Sequence, residues 1–574
     1  MAEAKQSLMK SMFRGDILEG LVFPYPTLDA DEADMVKIIE DNLLKWARDN
    51  FDAGQADTEA KYPDGTLETL GEMGIFGLII PEEYGGLGLS QTAYARIFET
   101  IAAIDGSLPV TLGGHSSIGM KGLLLYGTEE QKKKYLPDLA TGKKLASFAL
   151  TEPGSGSDAA SIQTRAVRQD DGTWLLNGQK IWITNGGYAQ FFTVFAKTAV
   201  EINGEMKDKI TAFIVDGDLP GFTRGPEEHK MGIKATSTVP LYFDNVVLSP
   251  DSVLGEVGKG FGVAMHVLNS GRLGLSAGVV GGAKAILEKV VKHTRERKQF
   301  GRSIGDFELI KEKVSRITVD IYVAESMVYL TAALADREGV DFSLESAICK
   351  VRASEMGWGM ADDSLQIMGG LGYMKGYPFE RVLRDTRINL IFEGTNEILR
   401  LFIALAGMEA PGEYLKQLGQ ALQGPIRGFG FLADYAFTRA KEAVTTPRLV
   451  KVHPSLERYA GYLTKYVEKF HKSVDSAIMK FGKRVIDREL MLQRFADCAI
   501  DFYGMLAVLS RATSRIEAVG EEAAKPELDI VRIYCEGAWR RVRRNLRQIR
   551  RHEDRPVRRL AAYVTQRQKY EFPT

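Results

Sequence analysis

The sequence predicts an α+β multidomain protein with an N-terminal α-helical domain, a middle β-domain, a C-terminal four-helix bundle and an additional C-terminal helical domain. Apolar residues recur at helical spacing from Asp31 to Ala140, the period changes to two between Lys144 and about Leu254, and the helical period returns from Phe261 onward. The 574 residues also exceed the roughly 250 to 300 at which a single core stops growing. Several domains are therefore expected.

The N-terminal helices are interrupted by turn residues. Pro81 to Gly88 is a turn-rich segment, and Pro137 predicts a break because proline cannot continue a helix interior. In the middle domain, Asp171-Gly172 and Asn177-Gly178 favour tight hairpin turns, which need residues that tolerate positive φ. The strand candidates are Trp174 to Leu176, Ile181 to Thr184, Phe191 to Phe195, Ile210 to Val215 and Val239 to Val247.

Long helical runs with short connections favour a bundle in the next part of the chain. These runs are Phe261 to Lys298, Phe307 to Asp336, Leu344 to Met368 and Pro378 to Met408. The polar stretch Ala410 to Gly428 then leads into further helices, and the arginine-rich stretch from Trp539 to Leu560 predicts a basic amphipathic helix. The predicted domains are residues 1–30 as an N-terminal extension, 31–145, 146–254, 255–409 and 410–574.

Charge and cysteine content disfavour several classes of protein. The formal net charge of -1 gives no global reason to expect nucleic-acid binding. Cys349, Cys498 and Cys535 are far apart and odd in number, which is typical of buried thiols in a reducing compartment. Met1 to Gly15 lacks the apolar core of a secretory signal, and the apolar run Leu273 to Ala283 is too short to span a bilayer. Export and a membrane span are not expected.

Common nucleotide and metal motifs are absent from the sequence. No Gly-x-Gly-x-x-Gly follows a strand, no phosphate loop ends in Gly-Lys-Ser/Thr, no His-Glu-x-x-His is present, and the seven histidines are scattered. Nicotinamide and metal chemistry are therefore disfavoured.

Two segments of the middle domain could hold a planar, phosphate-bearing cofactor. Thr151 to Asp158 contains glycines that let backbone N–H groups approach a ligand and serines that can bind phosphate or a polar heterocycle. Taken alone, a surface turn explains this segment better. In Trp182 to Gly187 the indole could cover one face of a planar ring, although a core tryptophan beside a turn explains it equally well. The presence of both segments in one domain favours a cofactor.

Glu393 is a candidate general base. It lies between Ile391 and Glu397, is embedded in apolar residues and is followed by Gly394. Burial would disfavour its charged form and raise its pKa from about 4.3 toward the working pH, as a general base requires. Most glutamates between apolar neighbours are nevertheless exposed, so this segment alone leaves both interpretations open.

In this order and at these positions, the three segments resemble the acyl-CoA dehydrogenase family, and the resemblance covers nearly the whole chain. The likeness is greatest to the very-long-chain branch, whose members carry an additional C-terminal helical domain. The supporting motifs are Phe23-Pro24-Tyr25-Pro26, Pro81 to Gly88, Thr111-Leu112-Gly113 with His115, Lys230 to Lys234, Arg297 with Gln299-Phe300-Gly301, Gln366 to Gly370, and Ile391 to Phe402.

The resemblance implies an FAD cofactor shared between two subunits. The residues that would hold the flavin ring and ribityl chain are Phe148, Leu150, Thr151, Gly156, Ser157, Trp182, Ile183 and Thr184. Those that would meet the other end of FAD from a neighbouring subunit are Arg297, Gln299, Phe300, Gln366, Ile367, Met368, Gly369 and Gly370. Thr395 and Glu397 would also lie near the cofactor. A homodimer or a higher homo-oligomer is therefore expected.

The resemblance also implies the reaction, which is α,β-dehydrogenation of a long- or very-long-chain fatty acyl-CoA to trans-2-enoyl-CoA in fatty acid β-oxidation. Glu393 would remove the α-proton, the β-hydrogen would leave as hydride to flavin N5, and the electrons would pass to electron transfer flavoprotein. Some branches place the base just before the arginine that corresponds to Arg272; Gly271 occupies that position here, which leaves Glu393. The implied substrate contacts are Ser157, Asn269, Arg272, Glu393 and Gly394, and no metal is implied.

Other functions remain open at this stage. Flavin oxidases and monooxygenases share the fold but often replace the glutamate, and one type of relative is a scaffold for respiratory-complex assembly. The intact Glu393, Ser157 and Arg272 argue against both. The C-terminal arginine-rich helix could make a peripheral membrane contact, as in the very-long-chain branch, or could be a solvated dimer-contact helix. The protein would be cytoplasmic if bacterial, or on the mitochondrial matrix side as a processed organellar form.

Overall fold

The computed structural model describes residues 5–423 and 449–572. Within this part of the chain there are two compact units. The first comprises residue 5 and residues 26–396, and the second comprises residues 6–25, 397–423 and 449–572. The first helix of the chain, α1 (Leu8–Phe13), belongs to the second unit.

The first unit begins with helices. They are α2 (Ala30–Asn50), α3 (Ala53–Glu59), α4 (Thr66–Glu72), α5 (Gln91–Ile104), α6 (Leu108–Gly113), the π-helical turn Gly114–Gly119, α7 (Lys121–Tyr126) and α8 (Glu129–Ala140). The break expected at Pro137 is wrong, because α8 continues through it to Ala140. Pro137 and Lys133 face solvent, where water can satisfy the freed Lys133 carbonyl, while the buried Leu136 and Leu139 hold the helix on the core.

The middle of the first unit is an eight-stranded sheet. Its strands are β1 (Ala146–Ala149), β2 (Arg165–Arg168), β3 (Trp174–Thr184), β4 (Phe191–Ile202), β5 (Glu205–Asp216), β6 (Phe222–Arg224), β7 (Thr238–Leu248) and β8 (Val253–Leu254). The order is β6-β7-β3-β2-β4-β5-β8, and β1 pairs in parallel with β4. One face packs on α8 through a core that contains Tyr135, Leu139, Phe191 and Phe195.

One of the two predicted hairpin turns is confirmed. Asp171-Gly172 lies between the antiparallel strands β2 and β3, and Gly172 has a φ of 86°. The turn predicted at Asn177-Gly178 is wrong, because β3 runs through these residues with a register shift against β7. A Cβ at Gly178 would lie 2.6 Å from Thr164 Oγ1, so this glycine permits a close approach of neighbouring strands.

Long helices follow the sheet. They are α9 (Gly260–Glu296), α10 (Glu308–Ala335), α11 (Ser343–Met368), α12 (Gly370–Tyr373), α13 (Pro378–Arg387) and α14 (Asn396–Gln423), with the short hairpin β9 (Lys298–Gln299) and β10 (Arg302–Ser303) after α9. By length and composition α10 could cross a membrane, but 78% of its most apolar window is buried inside the protein, as in a core helix.

The helix predicted from Pro378 to Met408 is wrong as a single element. A loop at residues 391–395 separates α13 from α14, because Glu393 and Gly394 have φ values of 57° and 91° that a right-handed helix cannot contain. The polar stretch that begins at Ala410 is helical over its first part, since α14 continues to Gln423. Residues 424–428 of that stretch lie outside the described part of the chain.

The described residues of the second unit are also largely helical. Besides α1 and the part of α14 after Asn396, they form α15 (Glu457–Phe481), α16 (Glu489–Val519), α17 (Lys525–Arg550) and α18 (Asp554–Arg567). Phe470 of α15 packs edge to face on Phe495 and Phe502 of α16. The single basic helix predicted over residues 539–560 is wrong: α17 ends at Arg550, and α18 starts at Asp554, whose carboxylate is paired with Arg494. The predicted α+β multidomain class is confirmed.

Candidate active site

A cavity of about 360 Å³ lies in the first unit. Its longest wall is one face of α9, because the α9 residues that line it recur every three or four positions. These residues are Gly271, Leu275, Gly278, Val279, Gly282, Ala283, Ala285, Ile286 and Lys289. Gly271 and Lys289 are 289 − 271 = 18 residues apart, so this wall runs for about 27 Å at 1.5 Å per residue. The walls contributed by α5, α6, α11 and α13 include Phe98, Ala102, Pro109, Met360 and Val382.

Glu393 lies at the Gly271 end of this cavity. A Cβ at Gly271 would lie 2.8 Å from Glu393 Oε2 and 2.7 Å from Ile118 Cγ2, so the carboxylate rests against bare helix backbone. Oε2 is buried and has no hydrogen-bond partner among the described residues. Burial raises the pKa of Glu393 to about 7, although the positive charges of Arg272 and Lys350 lower it in part. A carboxylate with this pKa and a free oxygen can take a proton near neutral pH.

The loop that carries Glu393 is held from two sides. Arg272 Nε donates to the Glu393 carbonyl at 3.2 Å, and Lys350 Nζ donates to the Gly394 carbonyl at 2.7 Å. Arg272 also donates to Asn269 Oδ1 at 3.1 Å. A non-glycine residue in the left-handed region costs about 1–2 kcal/mol, so these bonds stabilise a conformation that the loop would not otherwise favour. The structure thus brings together four of the predicted substrate residues, Asn269, Arg272, Glu393 and Gly394.

The segments predicted to hold a planar ring are neighbours in the fold. β1 ends at Ala149, and the loop that follows is joined to β3 by a hydrogen bond from Ile181 N to the Thr151 carbonyl at 3.0 Å. On β3, Trp182 is 62% exposed and has a φ of 56°. A large aromatic side chain in the left-handed region is a genuine outlier, and such strain is concentrated at functional sites.

The geometry of this surface fits a planar, phosphate-bearing ligand. A Cβ at Gly154 or Gly156 would have no atom within 4 Å, so this stretch of backbone is open to a ligand. Leu150 and Ile183 are buried, whereas Gly156, Ser157 and Trp182 are exposed. The buried pair Lys180–Glu152, at 2.7 Å, fixes the loop from beneath, since Glu152 also accepts from Thr164 N at 3.0 Å.

The planar-ring surface and the cavity are adjacent. Gly114 lines the cavity, and a Cβ at this position would lie 2.8 Å from Thr184 Cγ2. Ser147 Oγ donates to the Thr184 carbonyl at 2.6 Å and so holds the end of β3 on β1. Phe148 packs on Phe195 at 4.9 Å between ring centroids and so holds β1 on β4. A ligand on Trp182–Thr184 would therefore lie beside the Glu393 end of the cavity.

The residues predicted to meet the other end of the cofactor lie elsewhere on the chain. Arg297, Gln299 and Phe300 follow α9, and from Arg272 to Glu296 that helix extends for about 36 Å. Phe300 is 94% exposed. In the second group, Gln366, Gly369 and Gly370 are exposed, while Ile367 and Met368 are buried. Thr395 follows Gly394, and Glu397 is exposed in the first turn of α14.

Sequence reasoning missed several residues of the site. Lys350, which bonds to the loop that carries Glu393, is fully buried in α11. Ser117 and Ile118 reach the cavity from the π-helical turn, a rare conformation that no sequence pattern announces. A signal for Lys350 existed, because Ser346, Lys350 and Ser354 recur every four residues and so lie on one face of α11.

The fold and the site together define a flavin-dependent oxidoreductase, and comparison with known proteins identifies its family. The chain matches models of the acyl-CoA dehydrogenase N-terminal domain (residues 35–143), middle domain (147–246) and C-terminal domain (258–408), and of the ACAD9/ACADV C-terminal domain (454–570). The chain belongs to the acyl-CoA dehydrogenase family.

Individual relatives support this assignment over most of the chain. The human mitochondrial very long-chain specific acyl-CoA dehydrogenase is 44% identical over 553 residues, which cover 95% of this chain and 84% of the relative. A probable acyl-CoA dehydrogenase of Bacillus subtilis is 37% identical over 83% of this chain and 80% of its own length. A crystal structure of an acyl-CoA dehydrogenase complexed with FAD from Bacillus anthracis has a TM-score of 0.78 at 32% identity, covering 98% of this chain and 96% of that one. FAD is therefore the cofactor, and acyl-CoA dehydrogenation is the reaction.

Proposed function

We propose that this protein oxidises long- or very-long-chain fatty acyl-CoA to trans-2-enoyl-CoA in fatty acid β-oxidation, with Glu393 as the α-proton base. The observation that carries the proposal is the largely apolar cavity that ends at Glu393, whose buried Oε2 has no hydrogen-bond partner among the described residues, beside the strand proposed to bind the flavin. An acyl chain that fills this cavity has its thioester end at Glu393. The α-carbon then lies between the base and the flavin-binding surface.

The length of the cavity supports a long acyl chain. An extended hydrocarbon advances roughly 1.3 Å per carbon at bond lengths near 1.5 Å, so the 27 Å wall along α9 accommodates about 20 carbons. Gly278 and Gly282 face the cavity on that wall and leave its width open. Burial of each methylene is worth about 0.8 kcal/mol, which favours substrates that fill the cavity.

The residues of the site divide the chemistry between them. Glu393 accepts the α-proton on its buried Oε2, while Arg272 and Lys350 bond to the two carbonyl groups that follow its Cα. Glu393 Oε2 is buried away from water, which strengthens the electrostatic interactions of the base. Bound FAD supplies the acceptor for the β-hydrogen, and the residues that would hold it are those around Thr151 and Trp182. We propose electron transfer flavoprotein as the next electron acceptor.

Anaerobic titration with palmitoyl-CoA tests the proposal. We expect the flavin absorbance to bleach near one equivalent per site, because a sixteen-carbon chain fits the cavity. The same experiment with Gly278→Phe is expected to lose at least tenfold in affinity for palmitoyl-CoA while hexanoyl-CoA still bleaches the flavin. A Cβ at Gly278 meets Pro109 and Ala102 only at 3.5 and 3.6 Å, so the backbone accepts a side chain that then blocks the cavity.

Each outcome of the titration has a distinct meaning. A flavin that stays oxidised with every acyl-CoA would overturn dehydrogenation. Rapid peroxide formation on readmission of air, with no transfer to electron transfer flavoprotein, would favour an oxidase. Equal bleaching of wild type and Gly278→Phe by palmitoyl-CoA would contradict the assigned path of the acyl chain.

Assembly and membrane contact complete the proposal. The distance between the two groups of cofactor residues favours a homodimer in which a second copy completes each FAD site, and the mass in solution tests this.

In the second unit, α18 exposes Val557 and Leu560 beside Arg558 and Arg559, a pattern that suits an anionic membrane surface. Sedimentation of the full chain with phosphatidylglycerol vesicles tests that contact. The division into the domains given above stays a prediction.

A further inference from the structure

Lys350 is a fully buried cation beside the proposed base. Lysine is almost never fully buried unless its charge is paired or bonded. Here Nζ donates to the Gly394 carbonyl at 2.7 Å and to Asn396 Oδ1 at 2.9 Å. These two acceptors lie at the start and the end of the short turn that leads from Glu393 into α14.

Lys350 belongs to a buried polar face of α11, which we call the polar stripe and which consists of Ser346, Lys350 and Ser354. All three side chains are fully buried. Ser354 Oγ accepts a hydrogen bond from Asn396 Nδ2 at 3.0 Å, and Ser346 Oγ donates to the Asn269 carbonyl at 2.6 Å. The polar stripe therefore contacts Gly394 and Asn396, which follow Glu393, and also the turn of α9 that contains Asn269 and Arg272.

Two buried cations fix consecutive carbonyl groups of the base loop. Arg272 bonds to the carbonyl of Glu393 from α9, and Lys350 bonds to that of Gly394 from α11. The left-handed φ angles of Glu393 and Gly394 are intrinsically unfavourable for the glutamate, so contacts outside the loop must select them. The Arg272 bond holds the Glu393–Gly394 peptide and the Lys350 bond holds the next one, so the backbone between them has little freedom to rotate.

We propose that Lys350 is a positioning residue for Glu393. The Lys350 ammonium group fixes the Gly394 carbonyl and thereby orients the Glu393 carboxylate toward the cavity. The inference rests on the proposed role of Glu393 as base. It adds a residue that touches neither substrate nor FAD and acts through the loop.

The charge of Lys350 gives this role a measurable signature. Burial raises the pKa of Glu393, and the charged groups that oppose it are Arg272 from α9 and Lys350 from α11. Removal of the Lys350 charge takes away one of these two opposing effects. The pKa of the base then rises, and the base is protonated over a wider range of pH. A lysine whose ammonium group does not act on Glu393 would leave this titration unchanged.

The test compares Lys350→Met and Lys350→Arg with wild type as full-length, FAD-loaded protein. The measured quantity is the pH at which a bound 3-thia-acyl-CoA is half deprotonated. The signal is the long-wavelength absorbance that the analogue's anion produces with oxidised flavin. This analogue has sulfur at the β-position, so it can lose the α-proton but cannot donate hydride. We expect the methionine variant to titrate about one pH unit higher, and the arginine variant to stay near wild type.

Turnover provides a second readout. We expect Lys350→Met to lower kcat with palmitoyl-CoA at pH 7 by about 10- to 100-fold with KM changed less than about threefold, since positioning affects the chemical step. Part of that loss should return at high pH. Ser354→Ala is the matched control, because it removes one contact of the polar stripe but keeps the charge; its titration should not move.

Specific outcomes overturn the inference. A titration of Lys350→Met that coincides with wild type, with only a lower Tm, would show that Lys350 is structural. If Lys350→Met does not fold, Lys350→Gln replaces it, and an unshifted titration in that variant has the same meaning. Near-normal turnover of Glu393→Gln would instead remove the proposed function itself, so the two failures are distinguishable.

Discussion

Glu393→Gln is expected to lower the rate of flavin reduction by palmitoyl-CoA by about 10²- to 10⁴-fold, the usual contribution of a general base. Glutamine keeps the shape of the side chain but cannot accept a proton. Since Glu393 lies against Gly271 and the cavity rather than in the loop after β1, FAD content and acyl-CoA affinity should be retained. Single-turnover absorbance and equilibrium binding measure the two effects separately.

The pH dependence of wild type sharpens this test. Glu393 acts as a base only when deprotonated, and burial raises its pKa to about 7. The rate of flavin reduction should therefore fall as the pH drops through about 7, and this acid limb should be lost in Glu393→Gln. Glu409→Gln, an exposed carboxylate on α14, is the control and should behave as wild type. A Glu393→Gln variant with near-normal turnover would contradict the assignment.

The sequence was informative about the order of the helical and β regions, but less so about the local backbone. Periodicity placed the helical and β regions because each element buries one face. It failed at the Glu393 loop, where it predicted one helix, because glutamate at positive φ follows no propensity and depends on bonds from Arg272 and Lys350. The turn prediction at Asn177-Gly178 failed for a different reason. The dipeptide is a common turn signal, but here the glycine allows the close approach of Thr164 within the sheet.

Contacts between distant parts of the chain account for what else the sequence could not supply. The cavity requires α5, α9, α11 and α13 to meet, and its relation to β3 depends on the approach of Gly114 to Thr184. The apolar context of Glu393 left its burial open, and the structure shows that its Oε2 is buried. The helical spacing marks Lys350 as a polar position of α11 but does not show its contact with the Glu393 loop, which is 43 residues away (393 − 350 = 43).

Gly271→Ala is expected to lower kcat by about 10²-fold, because a displacement of about 1 Å at a catalytic group can cost that much. The added Cβ would lie 2.8 Å from Glu393 Oε2 and 2.7 Å from Ile118 Cγ2, so the carboxylate must move. Gly262→Ala, on the same helix with no atom within 4 Å of its Cβ, is the matched control and should keep the wild-type rate. Both variants should retain the flavin spectrum. A wild-type kcat in Gly271→Ala would mean that α9 shifts to accommodate the methyl group while Glu393 stays in place. The absence of a side chain at position 271 would then not be required for the position of Glu393.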